Sequence, residues 1–371
     1  METEITENIE KIEKKEVQQT IVPPKAAPVI ENLKASEEEF IGILKVLSPG
    51  TNLRSGLDGI LRAKKGALIV VENEFLTPLL DGGFKINCRL TPQKLVELSK
   101  MDGAIALSSD LKRISFANVL LTPDSKIRTA ETGTKHKAAE RTAKQTGTIV
   151  VAVSERKNEV NIFYKNIKYH LKETDELLRK VNEHVQILEK QRELFENYVG
   201  KLNKLEIKNN SSLFHAVNVI QKGMMIQKIA HDIKRNIIEL GTEGILLKTR
   251  FKEILSDVER ETHLVAKDYT SLNLKRSKAL LDAMTYDDIL DKENILSVLG
   301  HSEYKKIPLK GWRILSKTFL QEEEIALILK EINEFEKIPA SKELLASMLG
   351  NERANMLHEE IERLKLVLSS Q

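Results

Sequence analysis

The strongest constraint on this chain is the point at which its strand signal stops. Up to Tyr164, short β-rich runs alternate with helical patterns; beyond Asn166 no such run occurs, and charged helical sequence continues to about Gly300. Runs that alternate in this way specify an α/β layer structure, and the sequence beyond them must pack helix on helix. Strands are predicted at Ala67 to Val71, Ala104 to Ser108, Ile114 to Leu121, Thr148 to Val153 and Val160 to Tyr164. Thr51 precedes a helix with apolar Leu53, Leu57, Ile60 and Leu61, and Thr91-Pro92 is an N-cap and first-turn pair for another through Leu98. In the helical stretch Leu178, Val181, Val185, Leu188, Phe195, Val199 and Leu202 recur in three- and four-residue steps, with Arg192 the polar occupant of that seam. That is one long helix of a bundle.

At 371 residues the chain is too long for one core, and two or three domains are expected. The boundaries read as a flexible tail over 1–35, rich in Glu and broken by Pro23, Pro24 and Pro28; a mixed α/β domain over 36–165; a helical linker over 166–300; and a block of short helices over 301–371. With 58 Lys plus Arg against 55 Asp plus Glu, no wholly basic coat for nucleic acid exists, so any basic surface is local. The one cysteine, Cys88, can form no intrachain disulfide, which points to a reducing cytoplasm. The acidic start lacks a signal core and no 18 apolar residues run together, so no membrane segment is expected.

Chemistry concentrates in two places. Glu131-Thr132-Gly133-Thr134-Lys135-His136-Lys137-Ala138 opens a helix that Gly147 ends. Free backbone N–H groups, the positive end of the macrodipole and two lysines make a phosphate site there; the competing reading is a solvated helix start capped by Thr134. Met101-Asp102-Gly103-Ala104 precedes a strand, so that glycine admits a ligand to the backbone and the carboxylate can hold a divalent cation. It also reads as a plain turn, as does Asp81-Gly82-Gly83.

These words occur in an order that is specific. Leu98-Ser99-Lys100-Met101-Asp102-Gly103-Ala104, Ala117-Asn118-Val119, Glu131-Thr132-Gly133-Thr134, Ala139-Glu140-Arg141 and Lys144-Gln145-Thr146-Gly147 resemble the diadenylate cyclase domain of the bacterial DNA integrity scanning (DisA) family. The similarity continues through Tyr164-Lys165-Asn166, Glu239-Leu240-Gly241 and the C-terminal block. The resemblance implies a nucleotidyltransferase that condenses two ATP into cyclic di-AMP with release of two pyrophosphates, using Mg2+ or Mn2+. It implies Asp102 as the metal-binding catalytic residue, and Gly103, Ala104, Leu121, Gly133, Thr134, Lys135, His136, Lys137 and Ser154 as nucleotide contacts. It also implies octamers with face-to-face cyclase domains, because each domain holds half of a symmetric site.

The family's phosphate motif reads Arg-His-Arg-Thr, whereas here Lys135-His136-Lys137-Ala138 keeps the charge and loses two guanidinium forks and a hydroxyl. An attenuated or inactive homologue acting as a nucleotide-binding or DNA-contacting scaffold is therefore the alternative. His136 reads as a phosphate donor rather than a general base, since no orienting partner is evident in the sequence. The C-terminal block resembles the family's helix-hairpin-helix module for branched DNA, with Met348-Leu349-Gly350-Asn351 as the hairpin and Gly350, Asn351 and Arg353 as contacts. Eleven basic and eleven acidic residues from Lys305 onward make weak DNA binding the expectation, and leave room for a purely packing role.

Overall fold

The computed structural model describes residues 34–370, so the expected tail over 1–35 lies, except for Lys34 and Ala35, outside the described residues. The chain divides into two compact units, one ending at Glu173 and one starting at Thr174.

In the first unit the strands are β1 (Ala67–Val71), β2 (Leu80–Asp81), β3 (Phe84–Arg89), β4 (Ala104–Leu107), β5 (Arg113–Leu121), β6 (Ile149–Ser154), β7 (Glu159–Tyr164) and β8 (Ile167–Leu171). They form one mixed sheet in the order β2-β5-β4-β1-β6-β7-β8, with β3 also on β5. β1 and β4 run parallel, and the other pairings are antiparallel. Because successive strand residues face opposite sides, β1 buries Ala67 and Ile69 on one face and Leu68 and Val70 on the other. Helices α1 (Glu37–Val46), α2 (Asn52–Arg62) and α3 (Pro92–Leu98) supply apolar residues to the first face. Helix α4 (Thr134–Thr146) covers the second through Ala139 and Ala143. Thr51 and Thr91 accept the N–H groups of Arg54 and Lys94, so both sequence-level helix starts are real caps.

The expected boundary at 165 falls inside a hairpin. Lys165-Asn166 is a two-residue turn, Lys165 has φ +51°, and β8 pairs from Ile167 to Leu171 against β7. The sequence signal for β8 is weak because Ile167, Tyr169 and Leu171 alternate with Lys168 and His170 over only five residues, beside the charged helical sequence. The signal for β3 is weak because a bulge between Lys85 and Cys88 breaks its alternation.

The second unit is helical: α5 (Thr174–Ile207), α6 (Leu213–Glu239), α7 (Ile245–Leu255), α8 (Val258–Tyr269), α9 (Leu274–Ala283), α10 (Tyr286–Leu290), α11 (Lys292–Val298), α12 (Trp312–Leu315), α13 (Glu322–Glu331), α14 (Lys342–Leu349) and α15 (Asn351–Ser370). The seam predicted on α5 is buried at Val181, Val185, Leu188, Phe195 and Leu202. Arg192 belongs in it because its guanidinium donates to the carbonyls of Ile254 (3.1 Å) and Ser256 (2.5 Å), satisfying the end of α7.

The expected division at 300 is not a packing boundary, since one apolar cluster runs from Leu177 to Ile361. The polar reason is Arg313, whose side chain is fully buried. Its Nη1 donates to Asn203 Oδ1 (2.6 Å) and Glu261 Oε1 (2.6 Å), and its Nη2 pairs with Glu206. Tyr269 Oη donates to the same Glu206 at 2.9 Å. Asp268 accepts the N–H groups of Gly311, Trp312 and Arg313 at 2.9, 2.7 and 2.9 Å, which ties α8 to the start of α12. Burying these charges demands that every partner be in place, so 301–371 cannot separate from the bundle without exposing them.

Candidate nucleotide site

The register gathers the expected residues at one end of the sheet. Leu68 pairs Ala104, Ala67 pairs Val153, and Ala104 pairs Val119, so the starts of β1 and β4 lie beside the ends of β5 and β6. Lys135 Nζ reaches Gly66 O at 3.4 Å and His136 Nε2 lies 3.5 Å from Asn161 Nδ2, which brings the start of α4 to that same end. Asp102, Gly103, Ala104, Leu121, the run from Gly133 to Lys137, and Ser154 therefore share one rim of the fold.

Gly103 has φ +86°, and a Cβ there would lie 2.8 Å from the Asn118 carbonyl carbon. Its missing side chain thus lets β4 close on β5, a packing role beside any approach to a ligand. Asp102, one residue before, is exposed and makes no hydrogen bond or ion pair among the described residues. Ala104 is buried in the strand. Leu121 sits in the core beneath α4, whereas its neighbour Leu120, not singled out from sequence, is 60% exposed. Ser154 ends β6, its Oγ accepting the Lys157 N–H at 3.3 Å.

Thr134 is not the cap of α4. The N-cap is Gly133, which offers no side-chain acceptor, and Thr134 is the first helical residue. Lys137 N–H already bonds Gly133 O at 2.8 Å, so the amides of Thr134, Lys135 and His136 are the ones left for an anion. Gly147, with φ +65°, ends the helix as expected. Glu131 is paired with Lys168 of β8 at 2.5 Å, an unexpected contact from a strand that the sequence did not reveal.

His136 is half-buried, its ring edge-on to Phe163 with centroids 6.3 Å apart. Burial holds its pKa below the usual imidazole value; Glu131 opposes that shift and Lys168 and Lys157 add to it. The sequence provided no orienting partner, yet Asn161 is one. A polar residue within the apolar run Val160 to Phe163 was the available signal.

Among the described residues, no group of three or more His, Cys, Asp or Glu side chains could hold a metal ion, and no helix is long and apolar enough to cross a membrane. One carboxylate such as Asp102 still suits Mg2+ or Mn2+, which take one or two carboxylates and complete their shell with substrate phosphates and water.

In the second unit Gly350, with φ +87°, is the single residue between α14 and α15, and it faces open space. Asn351 is exposed. Arg353 is committed elsewhere: its guanidinium forks onto Glu324 at 2.6 and 3.0 Å and lies 5.3 Å from the Phe319 ring centroid. Met348 packs partly buried on the helical core.

Two family descriptions match this chain: the DisA bacterial checkpoint controller nucleotide-binding family over residues 54–167 and the DisA bacterial checkpoint controller linker region over residues 171–307. The DNA integrity scanning protein DisA of Acetivibrio thermocellus is 42% identical over 293 residues, covering 76% of this chain and 81% of its own. That of Clostridium acetobutylicum is 38% identical over 342 residues, covering 89% and 95%. A solved structure, a double mutant of DacA from Staphylococcus aureus, is 22% identical with a TM-score of 0.27, covering 36% of this chain and 89% of that one.

Proposed function

We propose, from the premise that this chain belongs to the DNA integrity scanning protein DisA family, that it is a diadenylate cyclase acting on two molecules of ATP. The observation that carries this reading is the shared rim: an exposed carboxylate, Asp102, with no partner among the described residues, at the same end of the sheet as the amides and lysines that open α4. In each half-reaction the 3′-hydroxyl oxygen of one ATP bonds to the α-phosphorus of the other. The bond from that phosphorus to the bridging oxygen breaks, pyrophosphate leaves, and the hydroxyl proton passes to solvent. Two such steps close cyclic di-AMP.

The protein's work is positioning and charge. Lys135, Lys137 and the amides of Thr134 and His136 hold the triphosphate and stabilise charge on the departing pyrophosphate. Gly103 and Ala104 approach the nucleoside through backbone, and Ser154 closes the rim. Bound at Asp102, Mg2+ or Mn2+ supplies charge screening at the α-phosphate and favours loss of the hydroxyl proton. Two copies must face each other, because one domain carries a single donor site, and a closed homo-oligomer such as an octamer meets that need. Residues 301–371 act as a helix-hairpin-helix module that touches branched DNA weakly at Gly350 and Asn351.

Incubation of the protein with ATP and Mn2+ or Mg2+, followed by chromatography, tests this. Cyclic di-AMP with two equivalents of pyrophosphate is expected. Tight ATP binding without product would favour a nucleotide-binding scaffold, the reading that the loss of both guanidinium forks at Lys135 and Lys137 keeps open.

A further inference from the structure

The environment of His136 differs at its two nitrogens. Nε2 faces Asn161 Nδ2, an amide nitrogen that only donates, at 3.5 Å. Nδ1 faces the start of α4, where a Cβ on Gly133 would lie 3.7 Å away. Phe163 fixes the ring edge-on, and Asn161 is itself buried on β7, paired with Ala152 and His170 in the sheet ladder. A buried residue on an interior strand is a rigid post, whereas His136 stands on the rim.

We infer that Asn161 is a positioning residue which sets the tautomer of His136: its amide donates to Nε2, so the ring proton sits on Nδ1 and is presented beside Gly133, where a nucleotide phosphate accepts it. The ligand named here rests on the function proposed above; the tautomer itself does not. A neutral ring suits the task, since it adds a donor without a third full charge beside Lys135 and Lys137. The other charged groups facing it are Glu131 before α4, Lys157 in the turn after β6, Glu159 on β7 and Lys168 on β8. The acidic and basic members oppose one another, which leaves the hydrogen bond from Asn161 to decide where the proton rests.

The test uses full-length protein labelled with 15N-histidine and studied by magic-angle-spinning NMR at pH 7.5, the His136 signals being those absent from a His136→Gln sample. Protonated Nδ1 and bare Nε2 are expected in the wild type. In Asn161→Asp a carboxylate that only accepts should draw the proton to Nε2. Calorimetric titration with ATP alone, without divalent cation, should show about tenfold weaker binding in Asn161→Asp and in Asn161→Leu, the loss of roughly one hydrogen bond. A wild-type proton on Nε2, or an Asn161→Asp tautomer identical to wild type, overturns the inference. ATP failing to bind the wild type would overturn the proposed function, while the NMR result would still decide the tautomer.

Discussion

Gly83 lies so close to Ala117 that a Cβ on it would sit 2.6 Å from the Ala117 carbonyl oxygen, and 2.5 Å from Val119 Cγ1. Gly83 approaches from the β3 side of β5, and Gly103 closes on the same stretch from the β4 side. Between them Asn118 takes φ +54°, where the β4–β5 register shifts. The bulge that sets Asp102 at the rim is thus clamped by two glycines from different loops. Gly83→Ala and Gly103→Ala should each destabilise the protein by about 2 kcal/mol or more, through backbone clash at positive φ. Asn118→Gly should be tolerated and Asn118→Val should not, because a β-branched residue resists that φ. Thermal unfolding of the four variants checks this.

Asp102→Asn should abolish cyclic di-AMP formation and change stability by less than about 0.5 kcal/mol, since the side chain is exposed and has no partner among the described residues. Chromatography and thermal unfolding of the same sample separate the two effects. Turnover at the wild-type rate would remove Asp102 from the mechanism.

Restoring the guanidinium forks with Lys135→Arg, Lys137→Arg and Ala138→Thr together should raise kcat/KM for ATP by about tenfold. Lys135 now spends part of its ammonium on Gly66 O, and a planar fork can hold that carbonyl and a phosphate at once. A steady-state comparison with wild type measures the increase; equal values would mean that the lysines already fit their ligand.

Arg353 is neutralised by Glu324, whose own pKa the guanidinium hydrogen bond holds below the usual carboxylate range. Glu324→Gln keeps a side chain able to cap Gln321 N–H and releases the guanidinium. Affinity for a four-way junction should rise, and the log–log salt slope should steepen by about 0.9 as the freed guanidinium neutralises one more phosphate. Titration at two salt concentrations reads both. An unchanged slope would place the DNA contacts away from this hairpin.

Burial among other charges pushes the Asp268 carboxyl up to about 7, with Glu206 adding to the effect. A folded-state pKa above the unfolded value means that folding takes up a proton between the two. The contribution is therefore fully present below the unfolded pKa of about 3.8 and lost as pH rises to about 7, by at most about 1.4 kcal/mol per pH unit. Denaturant unfolding of wild type and Asp268→Asn from pH 4.5 to 7.5 should show the wild-type advantage shrinking as pH rises. A constant difference would mean that Asp268 stays ionised on its three amide donors.

What the sequence by itself determined is what neighbours in the chain decide among themselves. The five strand runs predicted between Ala67 and Tyr164, the caps at Thr51 and Thr91, the glycine that ends α4 and the seam of α5 all rest on local patterns of residue type and spacing. The order of motifs from Asp102 to Gly147 pointed to the nucleotide rim through its resemblance to a known family. Tertiary structure alone decided the contacts whose partners lie far apart. Asn161 meets His136 across the α4 face of the sheet, Glu324 claims Arg353, and Arg313 draws Asn203, Glu206 and Glu261 into one buried network. The lengths of β3 and β8 belong here too, since edge strands with mixed polarity are specified by the strand they pair with. A charged side chain reads the same in sequence whether it faces water, a phosphate or a carboxylate; which one it meets depends on what the fold brings within about 3 Å, because hydrogen bonds and ion pairs at that range carry the energy that outweighs desolvation.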